Sequence, residues 1–315
     1  MSYYLDKVES LKDLFGTTDV EIGADFVRVG STKYSVKDDV ILLDVGATTD
    51  KDFAPDIQYT FGEEWKAYDK ILPEHEALFK QYFDLIDIET LKNKRVCDLG
   101  SGAGRFSYFL APLCRELVCV DFSDAIFVTR KNLRDRNNVL FFRCDIKRLP
   151  FRDDSFDIVC SLGVLHHLPT PCLNEVRALK RFAPELLIYL YYSLDNRPLY
   201  YRWLLGVVNA IRLTVSRIRS TTFRKAFSVT VAATVYVPLV WLGRLLDIAN
   251  VGKHVPLYEG YKDLGFKQIE QDVYDRFFTR IEQRVSRKEI EGLRDTFRQV
   301  IVSDGLPYHH FLCRR

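Results

Sequence analysis

None of the seven cysteines lies in a Cys-x-x-Cys pair, the spacing that zinc sites and thiol–disulfide motifs need. Cys97, Cys119 and Cys160 sit in apolar, strand-like runs. Buried, reduced thiols in a reducing, cytoplasmic compartment are therefore expected, with neither a metal site nor a disulfide framework. The stretch Met1-Ser2-Tyr3-Tyr4-Leu5-Asp6 has neither a basic region nor an apolar run, and no signal peptide is expected. No Gly-Lys-Ser/Thr follows a glycine loop, which excludes a P-loop. From 196 to 246 there is no Asp or Glu at all. What remains is ordinary for a globular protein: 315 residues, 47% hydrophobic and 28% charged, enough for one large or two smaller domains.

The chain is organised around Val96-Cys97-Asp98-Leu99-Gly100-Ser101-Gly102-Ala103-Gly104-Arg105-Phe106. A short apolar run ends in Asp98, three glycines alternate with small residues, and a helical pattern follows. A parallel strand that delivers its C-terminal end to a glycine turn makes a binding crevice. Arg105 stands where a dinucleotide fingerprint needs its third glycine, so that pattern fails. Asp98 is better placed to meet a cation than a phosphate. A second apolar strand, 117–121, ends in Asp121, about 20 residues beyond the glycine turn, where a carboxylate meets ribose hydroxyls in mononucleotide-binding halves. Ser123 and Asp124 are placed to cap the next helix. A third strand, 139–144, runs into Asp145, and His166 and His167 are expected to end a fourth at the edge of the crevice.

The pattern Asp98-x-Gly100-x-Gly102-x-Gly104 resembles the first motif of class I S-adenosylmethionine (SAM)-dependent methyltransferases. Leu149-Pro150-Phe151 leading to Asp154-Ser155-Phe156-Asp157 and the run from Leu162 to Leu168 are also similar to that family. The resemblance covers 60–192 and departs slightly at Ser101, where Cys is frequent. It implies a Rossmann-like, seven-stranded, mostly parallel sheet flanked by helices. It also implies SAM as cofactor and S-adenosylhomocysteine (SAH) as product. Asp98, Gly100, Ser101, Gly102 and Gly104 would hold the methionine end, Asp121 the ribose, and Asp145 with Ile146 the adenine, with Phe122 and Leu162 beside them. Trp65 and Tyr68, ahead of an amphipathic helix over 73–86, either close over the cofactor or pack in the core. His166 or His167 is a candidate base or a structural histidine at the strand end.

Residues 1–50 read as a small β extension whose short alternating runs, over 12–45, form a meander. Lys33 to Leu43 is similar to the end of a zinc-ribbon activator family that partners methyltransferases. The ribbon's cysteines are absent, so this implies the meander without the metal. Residues 46–56 read as a linker, and 57–192 as the SAM-binding core. Residues 193–285 form an inserted lid, with eight basic residues and many aromatics between 197 and 246, and an uncharged run over 226–243 long enough to raise a transmembrane question. A single crossing would separate strands that must share one sheet. The lid is therefore read as lying in a membrane interface, lining an apolar pocket, or packing internally with solvated arginines; nucleic acid is the least favoured partner. Arg276, Arg280 and Arg284 recur at helical spacing. Ser286-x-x-Glu289 opens a helix through Phe297, and 286–315 closes the sheet with a hairpin of 299–302 and 308–313. The expected activity is methyl transfer to a small or lipid-linked acceptor. The alternatives are a catalytically silent partner-binding subunit and a SAM enzyme of other chemistry. Oligomeric state is open.

Overall fold

The computed structural model describes residues 3–43, 62, 65 and 67–315; the expected linker over 46–56 lies outside them. Its centre is a parallel sheet built from β5 (Arg95–Leu99), β6 (Glu116–Asp121), β7 (Val139–Arg143), β8 (Ile158–Leu162) and β9 (Glu185–Tyr189). These strands read as near-continuous apolar runs because both faces are covered. Successive residues serve opposite cores: Val96, Leu117 and Cys119 face one, and Cys97, Val118 and Val120 the other.

The full order is β1-β2-β3-β4-β7-β6-β5-β8-β9-β11-β10. Its last seven strands have the order and directions expected of a Rossmann-like class I methyltransferase sheet, with β11 (Phe311–Arg314) antiparallel to β9 and to β10 (Gln299–Val302). The chain leaves β5 toward β6 on one side and later returns to β8 on the other. That reversal opens a crevice at the C-terminal strand ends.

Three features differ from expectation. The sheet has eleven strands rather than seven, because the meander β1 (Val20–Ile22), β2 (Phe26–Val29), β3 (Thr32–Lys37) and β4 (Val40–Leu42) continues it. β4 lies parallel to β7 through Ile41 and Phe142, and the Tyr4 hydroxyl donates to the Asp39 carbonyl at 2.6 Å. Ahead of the meander stands a helix, α1 (Val8–Phe15), which buries Leu11 and Leu14 completely. The closing strand starts late, at Phe311, because Tyr308 and His309 adopt left-handed backbone. β9 stops at Tyr189, and beyond it the Tyr191 carbonyl accepts from the Val285 N–H.

The helices flanking the core are α2 (Glu74–Tyr82), α3 (Ser107–Leu110), α4 (Ala125–Asn132) and α5 (Cys172–Leu179). The lid begins with α6 (Leu199–Val215). A continuous helix over Thr221–Asp247 follows, made of α7 (Thr221–Val231), a π turn at Ala232–Tyr236 and α8 (Val237–Asp247). Pro238 lies in the first turn after the wide turn, which absorbs the hydrogen bond that proline cannot make. Then come α9 (Tyr258–Tyr261) and α10 (Phe266–Phe278), whose Phe277 and Phe278 pack on Phe227 of α7. The capping box forms at Ser286 and Glu289, but its helix, α11 (Arg287–Glu291), passes into a 3-10 turn well before Phe297.

Two lid arginines expected in solvent or at lipid are structural. The buried Arg212 donates to the carbonyls of Thr279 (3.0 Å) and Arg280 (3.1 Å) just past α10, where backbone acceptors are unsatisfied. Arg224, also buried, donates to the Ile218 carbonyl at 2.8 Å. Replacing a charged hydrogen-bonding group of this kind costs about 2 kcal/mol. Arg212→Met is expected to lower stability by that order in urea unfolding, while the exposed Arg217→Met should leave it within about 0.5 kcal/mol.

Candidate active site

A cavity of about 460 Å³ occupies the crevice, bounded by the C-terminal ends of the central strands, by α2 and by the lid. Asp98, Gly100, Ser101, Asp121 and Phe122 line it from the first two strand ends. Asp145, Ile146 and Leu162 line it from the next two, and Trp65 covers the glycine loop.

The two nearest acids have different duties. Asp98 is buried and accepts from the Ser107 hydroxyl. Burial, reinforced by Asp121 and opposed by Ser107 and Arg105, raises its carboxyl to about 6. Asp121 is tied down more completely: Oδ1 accepts from the Ser123 N–H (2.8 Å) and hydroxyl (2.7 Å), and Oδ2 from the Gly102 N–H (2.9 Å). Burial still leaves its carboxyl above the ordinary range, against the pull of these bonds. Ser123 Oγ in turn accepts from the Ala125 N–H at 3.2 Å and so starts α4. Asp145 Oδ1 accepts from the Lys147 N–H at 2.9 Å, which sets the turn carrying Ile146.

Gly100, at φ +87°, presses on Val164, so a Cβ there would lie 2.4 Å from Val164 Cγ2. Gly102 and Gly104 do not reach the cavity wall. Gly102 donates to Asp121 and faces the Trp65 ring. Gly104, at φ +77°, packs against Thr129 and Leu133 of the α4 region. Their contacts shape the loop.

Tyr68 is also outside the cavity. Its hydroxyl donates to Glu270 Oε1 at 2.9 Å, and its ring joins the core beneath the lid, between Lys225 and Lys267. The histidine pair divides similarly. His166 is fully buried away from the cavity wall, both ring nitrogens lack partners among the described residues, and its ring lies 4.0 Å from that of Tyr191. Burial, then His167, Arg284 and Arg276, hold its pKa well below the ordinary value, so it stays neutral and structural. His167 lines the cavity, with Nδ1 donating to the Ile281 carbonyl at 2.8 Å.

Arg276, Arg280 and Arg284 do not form one basic helical face, because α10 ends at Phe278. Arg280 is exposed. Arg276 and Arg284 converge on Glu282, at 3.0 and 2.8 Å, and flank the Tyr191 ring. Burial opposes ionisation of Glu282, but Arg276 and Arg284 hold its carboxyl below the usual range. The Tyr191 hydroxyl donates to Asp275 Oδ2 at 2.5 Å. Tyr82, Tyr189, Tyr236, Tyr261 and Asp272 also line this side. Sequence reasoning passed over them. The one signal available was the spacing of Gln268 and Asp272 on a single helical face. Among the described residues no cluster of three His, Cys, Asp or Glu side chains is placed to hold a metal.

Residues 97–182, which carry the glycine loop and three of the four strand-end motifs in full, match the family model described as a methyltransferase domain. A protein of Encephalitozoon cuniculi (strain GB-M1) named as a methyltransferase is 29% identical over 135 residues, 40% of this chain and 60% of that protein. A demethylmenaquinone methyltransferase of Clavibacter sepedonicus is 37% identical over 73 residues, 23% of this chain and 30% of that protein. The solved structure of the Bacillus subtilis YcgJ protein is 26% identical, covers 42% of this chain and 58% of its own, and superposes with a TM-score of 0.35. The chain spans less than two thirds of each of these relatives. Sheet order, glycine loop and family match agree on the class: residues 97–182 match a methyltransferase domain and lie in the α/β core.

Gly104→Ala combines left-handed strain of about 1–2 kcal/mol with a Cβ 2.9 Å from Thr129 Cγ2. Urea unfolding should show a loss of at least that size.

Proposed function

We propose that this chain is a SAM-dependent methyltransferase whose acceptor is a small or lipid-linked amphiphile. The observation that carries the reading is one continuous cavity with two unlike walls. One wall holds the glycine loop and three carboxylates, which fit the cofactor's donors. Asp98 would meet its ammonium, Asp121 its ribose hydroxyls, and Asp145 its adenine amino group. Ionised carboxylates accept only, which suits Asp121 to the paired hydroxyls of a ribose. The left-handed turn at Gly100 lets backbone approach the ligand closely. When bound, SAM supplies a methyl already activated by the sulfonium. The chain's task is then to align acceptor and methyl and to exclude water.

The other wall belongs to the lid, and α6 serves two sides: Leu205 and Val208 line the cavity, while Trp203 is 70% exposed. Trp241 and Ile248 on or just after α8 are 68% and 83% exposed. The Thr221–Asp247 helix is long and apolar enough to cross a membrane by length and composition, with 28% of its apolar window buried. Because β9 and β11 flank the lid in sequence and pair directly, both ends of the lid stay on one side. We infer that the lid lies in the interface of an anionic leaflet, its indoles at headgroup depth and Arg202, Arg217 and Arg219 toward the charge. The seven thiols are free and buried, which supports the reducing, cytoplasmic face.

Two outcomes test this reading. Asp98 must be ionised to attract a cation, so SAM binding followed by calorimetry should tighten about tenfold between pH 5 and 7.5, as expected for a group near 6. Asp98→Asn should bind weakly and flatten that profile; no SAM binding at any pH contradicts the proposal. Stability of the free protein should move the other way. A carboxyl raised in the folded state binds its proton there more readily than in the unfolded chain, so stability falls as pH rises from about 4 to 6. Co-sedimentation should retain the protein on phosphatidylglycerol vesicles and lose most of it with Trp203→Ser/Trp241→Ser. Equal recovery with neutral vesicles and with the double variant would remove the membrane arm.

A further inference from the structure

Four tyrosines on the acceptor side, Tyr82, Tyr189, Tyr236 and Tyr261, line the cavity, and their hydroxyls have no hydrogen-bond partner among the described residues. A buried phenol ordinarily finds one, so four around a single space mark a place for a polar ligand. Tyr189 and Tyr236 are themselves more than nine-tenths buried.

Asp272 stands among them, and its orientation is set by a relay. The Leu72 N–H donates to His75 Nδ1 at 3.2 Å, which puts the imidazole proton on Nε2. That nitrogen donates to Gln268 Oε1 at 2.9 Å, and the Gln268 amide then donates to Asp272 Oδ1 at 2.7 Å. Two buried side chains are thus committed to aiming one carboxylate. Arg105, Asp275 and Arg276 also act on Asp272, yet among the described residues no cation lies within ion-pair distance of it. A carboxylate in a low-dielectric cavity requires a counter-ion.

We propose that this pocket takes the acceptor by a primary or secondary amine, with Asp272 as its counter-ion and proton acceptor. This rests on the SAM reading and names its substrate class. An ammonium gives N–H donors to the carboxylate and phenol oxygens and a charge to the ring faces. A carboxylate or phosphate in its place would meet repulsion from Asp272, and an alcohol would leave that charge uncompensated. In the reaction the ammonium proton passes to Asp272, and the freed nitrogen lone pair forms the bond to the methyl carbon. The sulfur–carbon electron pair returns to sulfur, giving SAH and a methylated ammonium, and the Asp272 proton then leaves to water. Burial raises the Asp272 carboxyl to about 6, which eases that proton transfer.

The test is calorimetric titration of the SAH-saturated protein at pH 7.5 with n-octylamine, 1-octanol and octanoate. Octylamine should bind at least tenfold more tightly than octanol, and octanoate should not bind. Asp272→Asn should abolish the preference for the amine while SAH binding stays within twofold. Should that variant lose SAH binding as well, Tyr261→Phe and Tyr236→Phe decide: each should retain SAH and weaken octylamine several-fold, and unchanged octylamine affinity overturns the proposal. SAH binding with no preference for octylamine over octanol overturns the amine assignment alone. Failure of SAH to bind overturns the cofactor reading and this inference with it.

Discussion

The site depends on the hydrogen bonds that Asp121 accepts from the two loops beside it. One comes from Gly102, in the loop after β5, and two from Ser123, in the loop after β6. These loops follow two neighbouring strands beside the point where strand order reverses, so a single buried carboxylate ties together two backbone segments of the crevice floor. Its energetic logic is that of any buried charge: it is tolerated because its lone pairs are largely satisfied. The same bonds hold the glycine loop in the shape that brings Trp65 over Gly102 and leave Asp98 facing the cavity with one hydroxyl donor.

The lid is joined to that floor by a second set of buried polar contacts. Glu282 sits between Arg276 and Arg284, both against the Tyr191 ring just beyond the fifth core strand. Arg212 holds the end of α10, and the His75–Gln268–Asp272 relay connects α2 to α10. Breaking one partner of a buried charged group costs more than an intact pair contributes. The lid is therefore held in a definite position, and the cavity between it and the strand ends keeps its shape. Its outer surface has the opposite character, with large apolar side chains left uncovered.

Much of the cofactor half was legible in the sequence because its signals are local. Asp98, Asp121 and Asp145 each end or follow a short apolar run, and the glycines lie within five consecutive residues, so position along the chain already implies position in the crevice. The acceptor half was not legible, since its residues meet only through tertiary packing. Tyr189 looks like any strand residue, Tyr236 lies inside an uncharged run, and Asp272 is one acid in a polar helix. The pairing of β4 with β7 had no local sign either. Tyr68 and His166 show the converse failure. Both sit beside real site residues in sequence, yet a hydrogen bond to Glu270 turns one into the core, and complete burial puts the other behind Tyr191.

The most direct measurement is the crystal structure of the SAH complex. The account predicts the ligand in the crevice cavity, its amine at Asp98, its ribose at Asp121, its adenine beside Asp145 and Ile146, and its sulfur toward Tyr191 and Asp272. SAH found elsewhere, or in this cavity with its sulfur turned away from the lid wall, would contradict the claim that the two walls form one methyl-transfer chamber.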